Sequence, residues 1–370
     1  MRILIFTAST GGGHKRAAAA LKEYFETRSS EHVVSIVDGI AQTGKFYNTF
    51  ICGGYTTLAK RMPQFYGKLY RGSDKESMLN NLCEKINRSK GKYILPVVEE
   101  FKPDIIITCH PFISLMLGDL KTKGAFDIPI VSIVTDFQAH HSYYADGIDH
   151  YVVSSQKISD DLRDRFGISQ DNIHIYGIPV FQRFMTSPDR SELKRSLGLA
   201  EGKKTILFMA GSFGVSEVLK VYKSIADNAA NCQFVVITGR NTRLYKRFED
   251  YIDSKNTKLL MFVNNVEDYM HCSDLIITKP GGLTVTESLQ CRLPMAIYSA
   301  FPGQEADNEA FLIEQGVAVS LGDKPGETVA DIIGDDNKLA EMSENCKKTL
   351  NVNSSEKIYE LLLRITAGQG

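Results

Sequence analysis

Tryptophan is absent from the 370 residues, no two cysteines are spaced as CxxC, and no apolar run approaches the length of a membrane span. The seven cysteines fall at 52, 83, 109, 232, 272, 291 and 346. Odd in number and scattered, they argue against a disulfide framework and a structural zinc site, and for free thiols in a reducing compartment. The opening Met1-Arg2-Ile3-Leu4-Ile5-Phe6 has too short an apolar core for a signal peptide, so the chain reads as cytoplasmic. Two phosphate-binding fingerprints are missing as well. The first glycine cluster is not followed by Gly-Lys-Ser/Thr, and it does not fit GxGxxG.

What is present describes a globular protein. Hydrophobic residues make up 43% and charged residues 24%, and the length suits two domains rather than one. The net charge of −1 hides an uneven distribution: residues 1–100 hold 15 Lys or Arg against 9 Asp or Glu, and the remainder is acidic. Within the basic part, residues 45–92 carry ten cations and three anions interleaved with Phe46, Tyr47, Phe50, Tyr55, Phe65, Tyr66 and Tyr70. Cations drawn to head groups and aromatics entering the interface suit an anionic membrane surface. Helices with aromatic cores and solvated lysines would give the same composition. Nucleic acid is not indicated, since no motif for it is present.

Strands and helices alternate along the chain, which implies doubly wound parallel sheets. Arg2 to Ala8 reads as a buried strand running into Ser9-Thr10-Gly11-Gly12-Gly13-His14 and then a helix. The glycines permit close approach of a ligand, and His14 at the turn is a candidate general base near neutral pH, a helix-start cap being the plainer role. Cys109-His110, Asp136 and the loop Gln138 to Tyr144, with His140 and His141, follow later strands. They are expected to meet at one carboxyl edge. Residues 178–188 read as a linker, after which a second unit begins.

In that unit Asp274 to Thr278 reads as a strand, Lys279-Pro280-Gly281-Gly282 as a turn and Leu283 to Gln290 as a helix. The free N–H groups at such a helix start attract an anion, and Glu287, one turn in, is placed to accept from a ribose diol. Thr284-x-x-Glu287 is also the spacing of a capping box, which needs no ligand.

Six motifs in order resemble one family: TASTGGGH ending at His14, VTD at Asp136, TGRN at Arg240, FVNNVEDYM from Phe262, KPGGLTVTE and PGQEADN. Together they resemble the monogalactosyldiacylglycerol synthase and processive diacylglycerol glucosyltransferase family, related to the enzyme that adds N-acetylglucosamine to lipid I. The resemblance implies an α/β GT-B fold, two Rossmann-like domains facing a central cleft. The expected bounds are 1–183 for the acceptor and membrane domain, 184–352 for the UDP-sugar domain, and 353–370 for a helix returning to the first.

The resemblance also implies roles. Ser212, Phe213, Gly281, Gly282 and Thr284 would hold the diphosphate without metal or other cofactor, Glu287 the ribose, and Arg240 and Val263 the uracil, with Gly13 of the first glycine loop also at the UDP-sugar. Gln304, Glu305 and Asn308 would meet the hexose. His14 would deprotonate the acceptor with Asp136 assisting, and His110, His140 and Tyr143 would line the acceptor site. The family's acceptor loop often carries tryptophan, so Tyr143 or Tyr144 stands in and acceptor identity is open.

The implied reaction is inverting transfer of glucose or galactose from a UDP-sugar to diacylglycerol, by a protein attached peripherally to the inner membrane face through residues 45–92. A polyprenyl-linked acceptor, a UDP-sugar 2-epimerase and a UDP-sugar sensor are the rival expectations.

Overall fold

The computed structural model describes residues 1–9, 12–44, 78–138, 140–210, 215–252, 256–298, 300, 302–350 and 352–368; at 78–83 and 215–216 only the backbone is described. Most of the basic aromatic segment, and the expected phosphate ligands Ser212 and Phe213, lie outside the described residues.

Two sheets of six parallel strands form the scaffold. The first, in the order β2-β1-β3-β4-β5-β6, is built from β1 (Arg2–Thr7), β2 (Val33–Asp38), β3 (Ile105–Thr108), β4 (Ile130–Ile133), β5 (His150–Val153) and β6 (Ile173–Ile175). The second, in the order β12-β11-β10-β7-β8-β9, uses β7 (Thr205–Met209), β8 (Gln233–Ile237), β9 (Thr257–Leu260), β10 (Leu275–Thr278), β11 (Met295–Ile297) and β12 (Ala318–Ser320). Central strands such as Ile105–Thr108 are buried along their whole length, as parallel strands covered on both faces must be. The strands left unforeseen, β6 and β12, are three-residue edge strands too short to show a period.

Strand order reverses between β1 and β3 in one sheet and between β7 and β10 in the other, and such switch points are where α/β sheets bind ligands. The loops beyond β1, β3 and β4 are therefore neighbours, and the turn after β10 lies at the opposing switch point. The Gly12–Arg28 helix follows the first, with Ala17, Ala18 and Ala20 buried against the core.

An apolar cluster crosses the boundary between the units. Ala17, Phe137, Ile178, Val180 and Phe184 pack with Leu283, Leu289, Phe311 and Leu312 of the second unit. Phe137 and Phe311 stack with ring centroids 5.3 Å apart. The end of the chain is two helices, Asp336–Thr349 and Ser354–Ala367, rather than one continuous run. The break is capped by Asn353, which accepts from the Glu356 N–H. The last helix seats Ile358, Leu361 and Leu362 among Ile3, Ala18, Leu21 and Phe25 of the first sheet's layer. Among the described residues, no helix is long and apolar enough to cross a membrane.

Candidate active site

The Gly282–Gln290 helix begins directly after the β10 turn, with Gly281 at its N-cap position and no side-chain cap. This settles the capping-box question. Thr284 lies inside the first turn instead of preceding it, so its hydroxyl does not close the helix. The two glycines differ in what surrounds them. A methyl on Gly281 would meet nothing within 4 Å, which leaves that backbone open to a ligand. A methyl on Gly282 would lie 2.2 Å from the Thr135 carbonyl oxygen, so Gly282 is required by domain docking.

On the facing side, His14 is the third residue of the Gly12–Arg28 helix. Its Nδ1 lies 2.9 Å from the Thr135 hydroxyl, and its ring meets His110 edge-on at 4.8 Å. Although the residue as a whole is only partly buried, burial of the ring lowers its pKa to about 4, opposed by a hydrogen bond to the Cys109 backbone. The imidazole is thus neutral at pH 7 and able to accept a proton.

Asp136 follows Thr135 and is 2% exposed. Its Oδ1 accepts from Gln304 across the domain boundary, while Oδ2 is buried without a hydrogen-bond partner among the described residues. Burial raises its pKa to about 6, against the amides of Gln304 and Asn308. A carboxyl that titrates near 6 exchanges protons readily in this pH range.

Glu287 is equally buried. Its Oε1 lies 2.6 Å from a terminal nitrogen of Arg16, yet neither that oxygen nor Arg16 Nε makes a well-formed hydrogen bond. Burial raises the Glu287 pKa to about 7, outweighing the attraction of Arg16; Glu267 adds to the rise and Arg183 opposes it. The expected ribose ligand is therefore engaged by the other domain.

Several other expected contacts are occupied by the fold. Asn308, 1% exposed, accepts from the Phe137 N–H at 3.1 Å and donates to the Pro280 carbonyl at 3.0 Å, tying the domains together. Glu305 approaches Lys279, a 7% exposed lysine of the turn, at 3.7 Å. His110 caps the Pro111–Thr122 helix by accepting from the Phe112 N–H at 3.2 Å, and burial holds its pKa well below the usual value. His140 likewise caps the turn His141–Tyr143. Tyr143, expected at the acceptor site, is 7% exposed and belongs to an apolar cluster with Val134, Tyr151 and Ile158. Tyr144, the alternative, stacks on Phe166 at 4.7 Å and donates to Asp146.

Arg240 is exposed at the end of β8 with its guanidinium 5.2 Å from the Phe262 ring, beside the partly buried Val263. A methyl on Gly13 would come to ordinary van der Waals distance of Leu283 Cβ, so the two glycine turns lie close together. Arg16, Thr135 and Lys279 were given no role by sequence reasoning. Two stand inside quoted motifs, and Arg16 is two residues beyond His14. A cavity of about 320 Å³ lies apart from this cleft, where the chain crosses between domains, and is lined among others by Arg190, His271, Cys291 and Lys347.

Comparisons with known proteins identify the family and the fold. Residues 14–180 match the family model described as monogalactosyldiacylglycerol (MGDG) synthase, and residues 189–349 match glycosyl transferases group 1. The processive diacylglycerol beta-glucosyltransferase of Bacillus subtilis (strain 168) is 30% identical over 374 residues, covering 98% of this chain and 95% of the relative. That of Staphylococcus epidermidis (strain ATCC 12228 / FDA PCI 1200) is 28% identical, covering 96% and 88%. Among solved structures, UDP-GlcNAc 2-epimerase from Neisseria meningitidis bound to UDP-GlcNAc has TM-score 0.63 at 14% identity, covering 98% of this chain and all of the other. MurG of Acinetobacter baumannii has TM-score 0.61 at 14% identity, covering 98% and 99%. These structures establish the GT-B-type fold.

Proposed function

The chain belongs to the processive diacylglycerol β-glucosyltransferase family, and we propose that it transfers glucose from UDP-glucose to diacylglycerol with inversion. One observation carries the reading within that family: His14, neutral at pH 7, is bonded to Thr135, whose carbonyl rests on Gly282 at the open start of the Gly282–Gln290 helix.

In the reaction, the diphosphate lies against the uncapped N–H groups at Gly282 to Thr284 and the open Gly281, where the helix start favours negative charge. Lys279 lies in the same turn and adds positive charge. Phosphate held in this way is a better leaving group, because charge that develops on the departing oxygen meets preorganised donors. The diacylglycerol hydroxyl attacks the anomeric carbon from the face opposite UDP. A new C–O bond forms as the bond to the β-phosphate oxygen breaks, its electrons leave with UDP, and the hydroxyl proton passes to His14. An α-linked donor thereby gives a β-glycoside. Asp136, buried beside this path, orients the donor sugar through Gln304.

Glu287 takes the ribose hydroxyls once Arg16 has moved from it, and Arg240 with the backbone at Val263 borders the uracil. Membrane contact is assigned to the basic, aromatic composition of residues 45–92, because so apolar an acceptor stays in the bilayer. The test offers UDP-glucose and UDP-galactose separately with diacylglycerol in anionic vesicles and identifies the lipid product. A β-glucosyl lipid from UDP-glucose alone is the expected result. Epimerised UDP-sugar without acceptor, or donor binding without turnover, would overturn it.

A further inference from the structure

On the reading of His14 as the base, we infer that Thr135 is its positioning residue, aligning the imidazole only when the second domain is seated. Thr135 is 7% exposed and touches the two halves of the site with different groups. Its hydroxyl lies 2.9 Å from His14 Nδ1, and its carbonyl oxygen occupies the space that a side chain on Gly282 would need, 2.2 Å from the ideal methyl position. One residue therefore connects the base to the anion turn.

The chemistry of that contact is particular. A hydroxyl donates or accepts, so it can hold the ring in either protonation state, whereas a carboxylate would favour the imidazolium. The carboxylate next in sequence does not do this work, because the Asp136 side chain is directed to Gln304. Among the described residues, the His14 ring also meets the Cys109 backbone and the edge of His110, itself occupied in capping the Phe112 N–H. None of these contacts places a full negative charge on the ring, so orientation is supplied without trapping a proton on the base.

The main chain makes this orientation depend on closure. Threonine, branched at Cβ, has few χ1 choices, and with Gly282 against its carbonyl the direction of the hydroxyl follows from the backbone. When the cleft opens, that stop is withdrawn. The base is then aligned at the moment the anion turn arrives, which ties proton removal to a donor already in place.

The experiment compares full-length wild-type protein with Thr135→Val, Thr135→Ser, Thr135→Asp and His14→Ala in the vesicle assay. A titration of the His14 ring by nitrogen-15 NMR without substrate accompanies it. Valine, nearly isosteric, is expected to lower kcat about 10- to 100-fold while KM for UDP-glucose stays within about twofold. Serine restores most of the rate. Aspartate moves the His14 titration and the acid limb of the rate profile upward together. Unchanged kcat and unchanged His14 titration in the valine variant overturn the inference, as does failure of a serine variant with wild-type melting temperature to recover. If His14→Ala keeps full activity, the base assignment itself falls and this inference falls with it.

Discussion

Arg16 of the first domain reaches across the cleft to Glu287 of the second, with 2.6 Å between guanidinium nitrogen and carboxylate oxygen. Glu287 is 2% exposed, while the Arg16 side chain keeps 41% of its accessible surface. A ribose that uses this carboxylate must displace a cation already there. Replacing Arg16 with Gln is therefore expected to tighten UDP binding about three- to tenfold at a pH high enough to ionise Glu287, whose pKa rises further once Arg16 no longer lowers it. Calorimetric titration measures it, and unchanged affinity would show that arginine and nucleotide do not compete.

The two turn glycines should part company. Gly282→Ala forces the Thr135 carbonyl away and is expected to cost about 1–3 kcal/mol of stability, with a fall in kcat/KM of tenfold or more. Gly281, with open space around it and φ of −74°, accepts a methyl without strain, so Gly281→Ala should melt like wild type and act only on donor affinity. Thermal unfolding and donor KM, read side by side, check both.

The pH dependence has a definite sign. With the His14 pKa lowered to about 4, the His14 part of the acid limb of kcat/KM is expected near pH 4, well below the ordinary histidine range, while a fall between about pH 8 and 6 reports protonation of Glu287 and Asp136. Stability follows the same group downward. A histidine whose folded pKa is depressed stabilises the fold above 6.5, and this contribution is lost as pH falls through the folded value. Asp136 and Glu287 act in the opposite sense: raised to about 6 and about 7, they favour the fold below about 4 and give that up as pH rises through those values. A melting profile of His14→Ala against wild type between pH 4 and 7 isolates the histidine part.

Ile358 of the last helix is wholly buried against the first domain. Ile358→Ala leaves a cavity there and is expected to cost about 2–5 kcal/mol. Amide exchange should then show the loss in β1 and the Gly12–Arg28 helix, not in β7 or β8; a uniform loss over both sheets would contradict this.

Long apolar runs made most of the fold readable from sequence. Arg2–Thr7 and Ile105–Thr108 declare buried parallel strands without ambiguity, and the glycine turns after β1 and β10 mark the helix starts. For the candidate site, sequence marks the strand-end loops that meet at a carboxyl edge. His14, Thr135 and the Gly282 turn come together because strand order puts their loops at opposing switch points. What sequence does not carry is the pairing across the cleft. Nothing local distinguishes an Asn308 that meets a sugar from one that joins Phe137 to Pro280, or shows that Tyr143 turns inward while Tyr144 stacks on Phe166. Those are decided by contacts between residues far apart in the chain. The capping spacing Thr284-x-x-Glu287 is of the same kind: the N-cap is Gly281, three residues before Thr284, which leaves Thr284 in the first turn.

The return of the Ser354–Ala367 helix to the first domain also sets an order of synthesis. Ile3, Ala18, Leu21 and Phe25 emerge from the ribosome long before the side chains that cover them, Ile358, Leu361 and Leu362, which follow the whole second sheet. Since domains otherwise fold as they emerge, the second domain is complete while the first still exposes an apolar face. The nascent chain must shelter that face while the second domain is made, and arrival of the Ser354–Ala367 helix, rather than completion of either sheet, is the event that closes the first domain's core.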